Sequence, residues 1–340
     1  MKLSRKNKKA DEKSLALTKI TNGTIEERRK EVLDKGKKFK YPVQYSKHKL
    51  VINTIIISFI VAVIGVAFGW FQFYKAQNTG TFIYRVSVFV PLPVANVDGE
   101  YALYSDYLAQ YRSNISITER QEGSLTSSED EDRRSDYYKR QSMDNTIANT
   151  YAIKLARENN ISVSKDEIEE IFNEHRKTSN AEVSESAFNK IIEDNYKLSP
   201  SEYRRMFIEL PLLKQKVSAK IDTKAEKTKN EIYDQLLDNG GDFDKIAQKY
   251  GSNIEVSSPG FVKSTNIDGG RTKVTLTLEK DQISKPFISK SGDGYYIVKL
   301  LDKNNDEVSY SYIKVPFEEF NTRLSELKKD GKITEYIDIE

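Results

Sequence analysis

Cysteine is missing from all 340 residues, so a disulfide framework, a thiolate zinc site and a cysteine nucleophile are excluded. That absence leaves the compartment open. Histidine occurs only at His48 and His175, neither in company that makes a triad or a metal cluster, and no glycine-rich phosphate loop is present. No metal and no cofactor are expected. Charge of one sign is scarce overall, with a formal net of +3, but it is unevenly spread. Met1 to Lys49 holds 16 Lys/Arg against 6 Asp/Glu, about +10, so the remainder is acidic by about seven charges (+3 minus +10). A basic tail on an acidic body points to a membrane surface before nucleic acid. The tail (Lys2, Arg5, Lys6, Lys8, Lys9) is expected to be a solvated, disordered arm, with no nucleic-acid partner.

One run lacks charge altogether. Leu50 to Tyr74 is rich in Ile, Val and Phe, and at ~1.5 Å per residue it reaches roughly 37 Å, enough to cross a ~30 Å hydrocarbon core. A secretory signal has a shorter apolar stretch behind a shorter head, and no clear A-x-A site follows here. An uncleaved single span in the bilayer is expected. Lys47 and Lys49 flank its start, so the positive-inside rule puts residues 1–49 in the cytoplasm and everything after Lys75 outside. Trp70, Phe71, Phe73 and Tyr74 are expected to form an aromatic anchor at the outer interface.

Beyond the span the pattern is α+β. Phe82 to Val90 alternates and reads as a strand, broken by Pro91 and Pro93. Asp98-Gly99 is a turn, and a helix begins at Tyr104. Gln121 to Arg134, with four consecutive acids from Glu129, lacks the alternation of a calcium loop and is expected to be solvated. Met143, Ile147, Tyr151 and Leu155 recur every four residues, as on a packed helix. Ser164 with Glu167, and Ser199 with Glu202 before Pro200, are capping boxes. Pro211 kinks or restarts its helix. Thr223 with Glu226 opens another helix, ended by Gly240-Gly241. Strands are expected at Thr275 to Leu278, Tyr295 to Leu301 and Val308 to Val315, the last two joined by a hairpin turn at Asn304-Asn305. A helix from Phe317 to Lys329 and a short strand near Ile333 close the chain.

Two stretches resemble a known family, the SurA and PrsA type of bacterial extracytoplasmic chaperone. Val94-Ala95-Asn96-Val97-Asp98-Gly99-Glu100 is similar to its opening strand and turn. Asn145 to Glu174 and Leu198 to Val217 resemble its helices in order and spacing. Ile232 to Asn253, with its Gly-Asp-Phe turn, and Leu276 to Leu300, with Ile283-Ser284 and Pro286, resemble a parvulin, the prolyl isomerase domain of the same proteins. The implied organisation is a tail (1–49), a span (50–74), a mostly helical chaperone domain (75–222) and a parvulin-like antiparallel sheet with helices (223–340).

The parvulin likeness has two departures. The family's first strand has no room between Ala219 and Lys227, yet a matching sequence stands at Val308 to Val315. In parvulins the first and last strands are antiparallel neighbours at the sheet centre, so a circularly permuted domain is expected. The two histidines of the parvulin site match Tyr312 and Tyr296, and its polar Cys or Asp matches Asn253. Pocket residues fall near Ile267 and Arg271, and the resemblance implies substrate contacts at Phe261, Ile267, Leu276 and Phe287.

Isomerisation needs a site that binds the twisted amide better than either planar form. With both histidines replaced, cross-strand packing is the plainer role for the tyrosines. The expected function is a membrane-anchored chaperone or foldase binding unfolded or newly exported polypeptides. An active prolyl isomerase and a dedicated envelope-assembly protein are the alternatives.

Overall fold

A computed structural model describes residues 22–40, 45–122, 128–177 and 181–339. The basic residues Lys2 to Lys9, the serine at 127 and the linkers at 41–44 and 178–180 lie outside these. The chain divides between Phe71 and Gln72 into two units. The first holds α1 (Asn22–Lys40) and α2 (Tyr45–Trp70). Part of the expected disordered tail is therefore helical; α1 is mostly polar, with Ile25, Val32 and Leu33 exposed, and carries an i,i+4 pair, Lys35 to Glu31 at 2.7 Å. The stretch Lys49–Lys75 is long and apolar enough to cross a membrane, and its most apolar window is wholly unburied.

A π-helical turn, Phe71–Lys75, straddles this division, and the second unit continues with α3 (Thr81–Phe89), β1 (Pro93–Val97) and β2 (Glu100–Leu103). Long helices α4 (Tyr104–Glu122) and α5 (Ser128–Glu158) follow, then α6 (Lys165–His175), α7 (Glu185–Ile191), α8 (Pro200–Arg204) and α9 (Leu210–Ile221). The β1–β2 turn has Asp98 at φ 49° and Gly99 at φ 90°, the doubly left-handed geometry that a two-residue hairpin needs and glycine tolerates. Both capping boxes form, at Ser164 and at Ser199 with Pro200 in the first turn. Before Pro211 the helix widens into a π-turn at Arg205–Glu209, which makes room for a ring that would clash with the carbonyl four residues back.

Several expectations fail here for identifiable reasons. Phe82 to Val90 is helix α3: Ile83, Tyr84 and Ser87 turn inward while Phe82, Val88 and Phe89 are exposed, so apolar residues on both sides mimic strand alternation. Ser128 to Arg134 opens α5, and Glu129, Asp130 and Glu131 in its first turn sit at the positive end of the helix dipole. Phe73 and Tyr74 are not a free interfacial belt. Phe73 is 2 % exposed and meets Tyr104 edge-to-face at 5.0 Å, and the Tyr74 hydroxyl donates to the Pro93 carbonyl at 2.8 Å.

The sheet domain starts with α10 (Thr223–Asp238) and α11 (Phe243–Tyr250), then β3 (Glu255–Lys263), α12 (Arg271–Thr275), β4 (Phe287–Ile288), β5 (Gly294–Lys303) and β6 (Glu307–Pro316). Helix α10 is capped by Asp222 rather than Thr223. The strand expected at Thr275 to Leu278 is instead the end of α12 and a turn, because Thr275 Oγ1 and Thr277 Oγ1 bond back to local carbonyls. Sheet order is β3-β6-β5-β4, antiparallel throughout. The last strand thus sits at the centre beside β5, in the place that the resemblance gives to a parvulin's first strand.

Strand alternation splits two cores. Ile297, Ile313 and Val315 face α10 and α11, while Tyr296, Val298, Leu300, Val308, Tyr310 and Tyr312 face the other way. The closing elements, α13 (Glu319–Lys329) and β7 (Ile333–Glu335), return to the first core: β7 pairs with β1, and Phe320 and Ile337 are buried among the helices. A boundary of 223–340 had put these residues with the sheet. Their apolar face is covered by α5 and α9 instead.

Candidate functional site

A bulge between Leu300 and Asp302 shifts the β5–β6 register by one, and beyond it alternation brings Tyr296 and Tyr312 to one face, with ring centroids 5.6 Å apart. Tyr310 joins them, 6.5 Å from Tyr312. Above the rings lies Arg271, the first residue of α12, its guanidinium carbon 4.7 Å from the Tyr312 centroid and 5.3 Å from that of Tyr296. Each hydroxyl has a carboxylate acceptor. Tyr296 donates to Asp293 at 3.0 Å, Tyr312 to Glu255 at 2.6 Å, and Tyr310 to Asp268. Asp268 also accepts from the Thr272 backbone N–H at 2.9 Å and its hydroxyl at 2.7 Å, which locks α12 over the rings. Lys314 Nζ completes the network, 2.6 Å from Asp293 and 3.7 Å from Glu255.

Burial, helped by the adjoining carboxylates, pushes Tyr296 and Tyr310 up to about 12. Burial would raise Asp268 and Asp293 as well. It is outweighed by hydrogen bonds from Tyr310 and Thr272 to Asp268, and from Lys314 and Ser291 to Asp293, which hold both below the ordinary carboxylate range. At neutral pH the face therefore holds protonated tyrosines with their protons already donated. Each of the three hydroxyls is engaged with its own carboxylate.

Of the other residues expected at the site, Phe287 reaches this face, 6.2 Å from Tyr296. Phe261 pairs with Ser309 and so lies on the opposite face from the tyrosines, exposed. Ile267 is 90 % exposed at a turn, and Leu276, also exposed, stands outside the tyrosine cluster. Asn253 sits in a short 3₁₀ turn, its amide donating to the Tyr250 carbonyl at 3.1 Å. Sequence reasoning missed Asp268, Asp293 and Glu255. Lys314 was findable, two residues from Tyr312 on the same strand face.

A second feature lies where the helices meet the sheet. A cleft of about 600 Å³ is bounded by α4, α5 and α9 on one side and by Ser291 to Asp293, Lys314, Pro316 and α13 on the other. Its helical wall carries Gln110 and Asn114 on α4, and Asn145 and Asn149 on α5, each pair four residues apart. The side chains of Gln110, Asn145, Asn149 and, from α13, Asn321 make no hydrogen bond to another described residue. Lys214 projects among them over the Phe320 ring at 5.1 Å, its pKa lowered by burial. Four helical residues rise ~6 Å, close to the ~6.6–6.8 Å of two residues of extended chain. Carboxamides both donate and accept, so the spacing suits a peptide backbone whatever its side chains.

Residues 43–218 match the SurA-like N-terminal domain family, more than half of the chain. The protein belongs to that family. Residues 208–302 match the PPIC-type PPIASE domain, the parvulin type. A search among curated proteins found no match, and none was found among solved structures. The SurA-like family comprises extracytoplasmic chaperones and prolyl isomerases, and this SurA-like chain carries its helical module before a parvulin-type sheet. The parvulin match stops at Asp302, before β6.

Proposed function

We propose that this chain is a membrane-anchored extracytoplasmic chaperone that holds unfolded or newly exported polypeptides, and that its parvulin-like sheet is a non-catalytic wall of the binding cleft. The observation that carries this reading is a contrast between two surfaces: the face bearing Tyr296 and Tyr312 is filled by Arg271, while the carboxamide cleft beside it is open. A catalyst of amide rotation must close on a proline ring and orient hydrogen bonds to the twisted amide. Here the rings are covered and the hydroxyls are already donated. The functional modules on this reading are the span, a helical module of 75–222 completed by 319–339, and the sheet of 223–316. Anchoring rests on the apolar stretch Lys49–Lys75, and an outward-facing body on the basic residues before it.

The test uses the full chain in lipid nanodiscs. It should delay aggregation of several unrelated unfolded clients while leaving the rate of X-Pro isomerisation near background in a protease-coupled assay. Strong isomerisation that disappears in the Tyr296→Phe/Tyr312→Phe variant would make the protein an enzyme with tyrosine donors. Neither activity would leave a dedicated envelope-assembly partner as the survivor.

A further inference from the structure

We propose that α3 lies in the outer headgroup layer of the bilayer, so that the chaperone body is docked on the membrane surface. The proposal rests on the reading that Lys49–Lys75 spans the membrane.

Helix α3 is apolar on both sides. Ile83 and Tyr84 are buried in the helical core, while Phe82 is 76 % and Phe89 86 % exposed, with Val88 and Val90 exposed beside them. A short helix with large aromatic residues bared to water lacks a partner on that side. Both of its ends are fastened to the last turn of the apolar stretch. At the N-terminal end, Asn78 bonds Gln72 twice, N–H to carbonyl at 2.9 Å and Nδ2 to Oε1 at 3.1 Å, and accepts from the Gly80 N–H at 2.8 Å. Arg112 holds the Thr79 carbonyl and the Thr81 hydroxyl at 2.8 and 2.9 Å. Past the C-terminal end, the Pro93 carbonyl accepts from Tyr74, and the Tyr104 hydroxyl donates to the Phe73 carbonyl at 2.6 Å.

Gln72, Phe73 and Tyr74 are thus built into the folded body. Nine residues of helix are only ~13 Å long, and the chain on either side of it is bonded to the last residues of the apolar stretch, Asn78 to Gln72 and Pro93 to Tyr74. The interfacial layer is on the order of 5–7 Å deep on each side of the hydrocarbon. Phe82 and Phe89 are seven residues apart and so share one side of the helix, with Arg85 between them. Arg85 pairs with Glu202 at 2.9 Å yet keeps about half its side chain exposed, in reach of lipid phosphate. Aromatic rings at the acyl boundary beside a basic residue are the chemistry of an interfacial helix. Continuity with the span selects lipid over a second copy of the chain.

The experiment exploits the single tryptophan, Trp70. The full chain is placed in vesicles whose lipids carry bromine at known acyl depths. Two variants move the probe, Trp70→Phe/Phe82→Trp and Trp70→Phe/Phe89→Trp, both at exposed positions that leave the core alone. A third, Trp70→Phe/Phe261→Trp, puts it on the exposed sheet surface. Shallow bromines should quench the probes at 82 and 89, and the one at 261 should keep its fluorescence. Quenching of Trp70 without quenching at 82 and 89 overturns the docking alone. Concentration-dependent crosslinking through α3 in that case names a second copy as the occupant. Failure of every lipid to quench Trp70 itself overturns the span, and this placement with it.

Discussion

Asp222 and Glu318, 96 residues apart, are joined by a hydrogen bond of 2.7 Å from the Glu318 N–H to Asp222 Oδ2. The same oxygen accepts from the Glu319 N–H at 3.1 Å, and Oδ1 accepts from Ala225 at 2.9 Å. One buried carboxylate thus satisfies the open N–H groups that begin α10 and α13, at the seam between helical module and sheet. Asp222→Ala should destabilise the fold by roughly 2–4 kcal/mol, a lost cap plus donors stranded at a buried seam. Chemical denaturation reads this directly. A loss below about 0.5 kcal/mol would mean that water replaces the carboxylate at no cost.

Arg271 covers the tyrosine pair through two ring contacts. Arg271→Leu keeps bulk and removes the guanidinium, and it should lower stability by roughly 1–3 kcal/mol while isomerase activity stays at background. A rise in isomerisation would show that the arginine is a lid over a working site. The Tyr296→Phe/Tyr312→Phe variant preserves ring packing and should retain chaperone activity.

The carboxylates around these rings set the response to acid. Asp268 and Asp293 titrate below their unfolded value of about 3.9. Their contribution is therefore fully present above that value and lost as pH falls through it towards the folded values. Tyr296 and Tyr310, at about 12, run the opposite way, because a raised tyrosine favours the protonated fold: their contribution is complete below pH 10 and lost between 10 and 12. Urea midpoints measured across both windows should fall at each end. Asp268→Asn/Asp293→Asn should flatten the acid limb, and an unchanged slope would remove these two groups from the account.

What the sequence revealed was periodic, and what it hid was not. The pairing of strands β5 and β6 was legible from their two apolar runs and the turn at Asn304-Asn305, but alternation counted from Lys303↔Val308 would put Tyr296 and Tyr312 on opposite faces, and the bulge between Leu300 and Asp302 is what brings them to one face, where the parvulin resemblance had them. The boxes at Ser164 and Ser199 follow from local chemistry three residues apart. The same rule misplaced the next cap by one residue, since Thr223 and Glu226 fit the pattern while Asp222 is selected by a partner 96 residues away. Helix α3 was misread because an unpaired apolar side erases the helical period. Arg271 and Asp268 sit around a glycine turn, where no periodicity predicts that a guanidinium will close over a sheet.

Orientation can be tested with single introduced cysteines and no background labelling, since the chain has no cysteine of its own. Lys35 on α1 and Thr265 beyond β3 are both exposed, so Lys35→Cys and Thr265→Cys are accessible reporters that disturb no core. On the proposed topology, which rests on the excess of about ten positive charges before the apolar stretch, the first lies inside. A membrane-impermeant maleimide should label Thr265→Cys on intact spheroplasts and Lys35→Cys only after permeabilisation. The converse pattern would reverse the topology. Labelled Thr265→Cys recovered in the medium, shortened to begin near Ala76, would identify the apolar stretch as a cleaved leader. Retention in the membrane at full length is the expected outcome, because Phe73 and Tyr74 are built into the body that a cleavage there would have to tear open.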